Sequence, residues 1–147
     1  MKTSAAQYRA TSRKRRAAAR GGVATVEFAV VAPVFFMLVL GVIEFTRAMM
    51  VEELLTNAAH EGARAGILDN AQTSDVTSAV NNYLADAGIS GATTTVSPSP
   101  PSSAAYNQSV TVNVKISYSS VSWLPVPHFL GGTTLKAGSV MRRETTQ

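Results

Sequence analysis

The spacing of apolar positions changes along the chain, and each change predicts an element. From Val23 to Ile43 the apolar run is broken by one charge only, Glu27, and no polar face appears at helical spacing over residues 29–43. A run of about 20 such residues has the length needed to cross a bilayer core. Beyond it Ala48, Val51, Leu55, Ala58, Gly62 and Ala65 recur at intervals of three and four, one narrow apolar stripe of small residues that a partner could approach closely. Together these patterns predict one helix from about Val23 to about Leu68, roughly 70 Å long at 1.5 Å per residue, ended by Asp69 and Asn70. Pro33 lies inside it and frees the carbonyl of Ala29, so a kink is expected there, and Gly41 favours flexibility or close packing.

A second, short helix follows, capped by Thr73 or Ser74, with Asp75 in its first turn. Its apolar side is Val76, Val80, Tyr83, Leu84 and Ala87, and Gly88 is placed as its C-terminal glycine. Then the period falls to two. In SVTVNVKISY the residues Val110, Val112, Val114, Ile116 and Tyr118 share one face, which reads as a half-buried strand. Weaker strands are expected at about 92–96 and 133–142. Between the first two strands, residues 97–108 form a Pro/Ser-rich loop expected to be polar and mobile. The apolar connection SWLPVPHFL should place Trp123, Leu124, Phe129 and Leu130 over a sheet edge or the side of the long helix, with a docking surface as the alternative. The fold class is therefore α+β: a long N-terminal helix, a short second helix, and a small antiparallel sheet of about three strands packed on the outer end of the long helix, because a one-sided sheet must bury its apolar face.

Charge changes the picture at one end. The chain carries a net +4, yet Lys2, Arg9, Arg13, Lys14, Arg15, Arg16 and Arg20 all precede the apolar run, with no Asp or Glu among them. Loops left in the cytoplasm hold the excess of Lys and Arg, so the N-terminus is expected inside and the chain beyond Glu44 outside. The run is too long for a secretory signal core, and Thr46-Arg47-Ala48 is a poor exit site. The SRKRR cluster lacks the apolar residues that should follow a twin-arginine signal, and beside a membrane segment it is no sign of nucleic-acid binding.

Candidate chemistry is sparse. There is no cysteine, which excludes disulfides, thiolate metal sites and thiol nucleophiles. His60 and His128 are far apart in sequence, so a metal site lacks its second ligand. No phosphate-binding glycine loop and no nucleophile elbow is present, and Glu52 and Glu53 occupy successive helix positions that do not face one another. Neither catalysis nor a cofactor is expected.

Glu27 needs a reason, since a carboxylate near the bilayer centre costs about 2.5–3.5 kcal/mol and somewhat less near the interface. Just upstream stand Gly21-Gly22, then Val-Ala-Thr-Val, then Glu27-Phe28. This order resembles the mark read by prepilin peptidases in type IV pilin-like proteins. The resemblance implies cleavage after Gly22, with Val23 as the new N-terminus; a cut after Gly21 is the competing choice, and a flexible glycine joint the plain one. A new ammonium at Val23 would lie one turn from Glu27, or would meet Glu27 of a neighbouring subunit, and either pairing would offset the buried charge.

The runs VEFAVVAPVFFMLVLGVIEFTRA and LTNAAHEGARAGIL are more specific. With Glu27-Phe28, Pro33, Gly41, Glu44-Phe45, Arg47 and the block from Asn57 to Arg64, they resemble the TadE-like family, small pilin-like proteins of tight-adherence (Flp) pilus systems. The resemblance covers about residues 21–68 and is loose beyond; His60 is a minor departure. It implies a pseudopilin or minor pilin that takes part in Flp pilus assembly, with Glu27 and Phe28 in assembly and Pro33, Gly41, Ala48, Val51, Leu55, Ala58 and Gly62 in helix packing. It also implies a chain divided into a leader (1–22), a transmembrane helix (23–43), an exported helical continuation (44–68) and a head (69–147). The implied partners are a prepilin peptidase, the major Flp pilin, other minor pilins, the inner-membrane assembly platform and membrane lipid, and the implied roles are adherence and biofilm formation. The rival is an uncleaved single-pass protein whose exported head scaffolds a secretion or envelope complex. It shares the topology and needs neither Gly22 nor Glu27.

Overall fold

The computed structural model describes the backbone of residues 4–125 and 129–143, with side chains from residue 22 onward within those ranges. The charged side chains of the basic leader and His128 lie outside the described set. In chain order the elements are α1 (Ser4–Gly66), α2 (Thr73–Asp86), β1 (Thr93–Ser97), β2 (Ser109–Ser117) and β3 (Thr134–Arg142). Internal contacts divide the chain into residues 1–41 and residues 42–147.

In the first unit, α1 begins well before the expected start near Val23 and passes through Gly21 and Gly22 without a break. The segment RKRRAAAR is made of strong helix formers, and two glycines at about 1 kcal/mol each do not outweigh them. The glycine pair is therefore no joint here. The helix also continues through Pro33. From Gly22 the described residues contain one helix long and apolar enough to cross a membrane, and none of its most apolar window is buried within the protein. That fits a single-pass membrane protein.

In the second unit, residues 42–66 of α1 bury the predicted stripe from Ala48 to Gly62, widened by Ala59 and Ala63, while Ala65 is only half-buried. Ala48, Val51, Leu55, Ala58, Ala59 and Ala63 join Val76, Val80 and Leu84 of α2 and Val110, Val112, Val114 and Ile116 of β2 in one core. The stripe is thus covered by the head of its own chain. Glycine permits the approach: a β-carbon on Gly62 would lie 2.6 Å from Val80 Cγ2 and 3.4 Å from Val112 Cγ1. α1 ends at Gly66, short of the expected Leu68, and the turn that follows carries Asn70 at a left-handed φ of 59°, a conformation Asn tolerates.

α2 starts one residue earlier than expected. Its N-cap is Gln72, not Thr73 or Ser74, and the Asp75 carboxylate accepts the Gln72 N–H at 2.8 Å. Its end follows expectation. Gly88 has φ of 71°, Ile89 N–H donates to the Leu84 carbonyl at 2.8 Å and Gly88 N–H to Ala85 at 2.9 Å, a Schellman closure with Leu84 and Ile89 both buried.

The strands form an antiparallel sheet in the order β1-β2-β3. Val110, Val112, Val114 and Ile116 stand opposite Met141, Ser139, Ala137 and Leu135, so the period-two pattern does deliver one buried face. The Pro/Ser loop differs from expectation. Pro101 and Ala104 are buried, and the buried Arg143 donates from Nη1 to the carbonyls of Ser102 at 2.8 Å and Ala104 at 3.1 Å. The loop is pinned because small and proline side chains fill the gap beside Gly66, whose β-carbon position lies 3.7 Å from Pro101 Cβ.

Candidate functional site

The residues singled out for processing and charge pairing stand in the first unit. Gly22, Val23, Glu27 and Phe28 are all exposed on α1, as is Pro33, and Gly41 is half-buried. A side chain at Gly22 would meet nothing within 4 Å. An exposed apolar helix carrying one carboxylate has the chemistry of a surface for lipid or for other helices.

A polar cluster that periodicity did not reveal stands in the second unit. Glu44 is the first residue after the apolar run and is fully buried. One oxygen, Oε2, accepts the backbone N–H of Phe129 at 3.0 Å and of Leu130 at 2.9 Å. Its backbone carbonyl accepts the Tyr118 hydroxyl at 3.0 Å. One turn on, Arg47 Nε donates to the Val121 carbonyl at 2.9 Å, Nη1 reaches Met50 Sδ at 3.6 Å, and the guanidinium lies 4.7 Å from the centre of the Trp123 ring. Both charged residues thus grip the connection between β2 and β3. A signal existed: Glu44 lies four residues before Ala48, in phase with the buried stripe.

Two further polar contacts involve side chains of α1. Arg64 pairs with Glu61 through bonds of 3.0 and 2.6 Å, and the Arg64 hydrogen bond holds the Glu61 carboxyl below its ordinary value, while Glu61 raises Arg64. His60 Nδ1 meets Ser139 Oγ at 2.9 Å, a packing contact with β3. Among the described residues no group of three or more His, Asp or Glu is placed to hold a metal.

The expected cover over the sheet divides. Leu130 packs against the core, whereas Trp123 is 64% and Phe129 58% exposed. They remain outside because the inner face of the sheet is already filled by α1 and α2.

Residues 22–64 match the family model described as TadE-like protein. The match begins at Gly22 and ends at the Glu61–Arg64 pair, taking in the apolar run, Glu44, Arg47 and the stripe as far as Gly62. The resemblance read from the sequence is therefore matched over this stretch, which is less than a third of the chain. No curated protein and no solved structure matches the chain. The TadE-like stretch supplies the helix side of the polar cluster, while Tyr118, Val121, Trp123, Phe129 and Leu130 lie outside it.

Proposed function

We propose that this chain is a pseudopilin or minor pilin of a Flp-type pilus, a structural part and peptidase substrate rather than a catalyst. It inserts in the inner membrane with its basic N-terminus in the cytoplasm and its head outside. A prepilin peptidase cuts after Gly22, and the mature helix enters or primes the pilus, with the major pilin, other minor pilins and the assembly platform as partners. Adherence and biofilm formation are the corresponding cellular roles. One observation carries the reading: Gly22, Val23 and Glu27-Phe28 stand in the order of a cut mark, at the head of a membrane-length helix, inside the TadE-like match. The exposure of Gly22 and Glu27 supports it, since a processed end and an assembly charge must both be reachable.

The rival, an uncleaved anchored scaffold, is favoured by the continuity of α1 through Gly21 and Gly22. A bond inside a helix must open locally before a protease can cut it. Mass spectrometry of the protein recovered from cells with an active prepilin peptidase separates the two. A mature chain starting at Val23 is expected; an intact leader overturns the pilin reading in favour of the scaffold.

A further inference from the structure

We propose that the described parts of the connection between β2 and β3, residues 118–125 and 129–133, form a membrane foot, with Trp123 and Phe129 inserted at the headgroup level of the bilayer that the apolar part of α1 crosses. The inference rests on the membrane span and not on pilus assembly.

Covalent position comes first. The uncharged run ends at Ile43, and Glu44 and Arg47 follow within about 6 Å of helix, at 1.5 Å per residue. Whatever they hold is held where the helix leaves the bilayer. What they hold is this connection, through Phe129 and Leu130 on Glu44 Oε2, Tyr118 on the Glu44 carbonyl and Val121 on Arg47 Nε. The Trp123 ring lies over Arg47 in the same turn.

Exposure points the same way. In the second unit the exposed large apolar residues are Val42, Ile43, Phe45, Met49, Met50, Trp123 and Phe129 near this junction, with only Leu68, Tyr106 and Val140 elsewhere among those described. Such a patch is one that water penalises and that a bilayer surface would cover. Tryptophan, with an apolar body and a polar N–H, is enriched at this depth, and the buried Arg47 guanidinium is held against the Trp123 ring with its Nε on the Val121 carbonyl. The buried Glu44 carboxylate contributes as well. It satisfies two backbone donors of the foot, which could not be left open in a low-dielectric layer.

Trp123 is the single tryptophan of the chain, so its fluorescence reads the foot directly. The full-length protein is reconstituted in phosphatidylcholine vesicles, with and without lipids brominated near the top of the acyl chain, and flotation confirms association. The expected result is blue-shifted emission, quenched by the brominated lipid and shielded from aqueous iodide. A water-like emission, open to iodide and untouched by bromine in co-floating protein, overturns the foot and leaves the span standing. Protein that does not float overturns both. The double variant Trp123→Phe/Phe129→Trp moves the probe across the foot and should report the same shielding; an aqueous reading there overturns insertion of the foot as a unit.

Discussion

A β-carbon built on Gly62 would come within 2.6 Å of Val80 Cγ2. Val80 is β-branched and fully buried, so it has little freedom to turn aside. Val76 and Val112 close the same gap at 3.3 and 3.4 Å. Gly62→Ala should therefore lower head stability by about 1–3 kcal/mol through overpacking, against a helix-propensity gain of about 1 kcal/mol. The net is expected to be a lower thermal midpoint in detergent. Gly22→Ala is the control, because the space around it is open. It should leave that midpoint unchanged and, on the proposed function, abolish the Val23 terminus.

Glu44 tests whether the junction cluster holds the connection. Removing its carboxylate leaves the N–H groups of Phe129 and Leu130 without the acceptor they have now. An orphaned buried donor costs about 1–3 kcal/mol. Glu44→Ala should accelerate hydrogen exchange at those two amides while the β2–β3 ladder stays protected. Glu44→Gln keeps one carbonyl acceptor and should show the smaller change. Equal exchange rates in all three proteins would mean that the connection is held by something else.

The legible part of the fold was the part written in periods. The alternation from Val110 to Tyr118 and the spacing from Ala48 to Gly62 each placed an element and its buried face, since period alone decides which side chains share a surface. Gly88 was legible for a different reason, as its left-handed φ is one that other residues resist. Contacts between distant segments left no such trace. Nothing local tells that Glu44 meets residues 129 and 130, or that Arg143 pins residues 102 and 104. Trp123 was expected over a sheet edge or the side of the long helix, and its ring lies against Arg47 of that helix while most of its surface stays exposed.

Acid should expose the Glu61–Arg64 pair. Glu61 titrates below its ordinary value of 4.5 when folded, chiefly because of the Arg64 hydrogen bond. A depressed folded pKa contributes stability that is present above the unfolded value and is lost as pH falls through the folded one. The stability gap between the native protein and Glu61→Gln should thus be constant near neutrality, shrink below pH 4.5 and vanish at lower pH. Both side chains are exposed, so added salt should narrow the gap even at neutral pH. Chemical denaturation across pH at two ionic strengths checks both dependences.

Lys115 and Lys136 stand directly opposite each other on neighbouring strands. They line an open groove of about 340 Å³ on the outer sheet face, with Thr95, Asn113 and Gly138. Like charges directly opposed destabilise a sheet, whereas opposite charges contribute about 0.2–1 kcal/mol. Lys136→Glu should raise head stability within that range, and added salt should shrink the gain. A loss of stability would show that the two ammonium groups already point apart into water.

Glu27→Ala addresses the charge in the membrane segment. Glu27 is exposed on a helix otherwise apolar enough to span a bilayer, so its removal makes insertion more favourable by up to about 3 kcal/mol. Membrane fractionation should find the variant as well inserted as the parent. If the proposed pairing with the Val23 ammonium holds, assembly should fail all the same, because the ammonium of one subunit would enter the packed helices without its counter-charge. Piliation counted by electron microscopy, in cells where the variant is present at parental levels, reads that outcome. Normal piliation would remove the pairing while leaving the cut at Gly22 to be judged on its own.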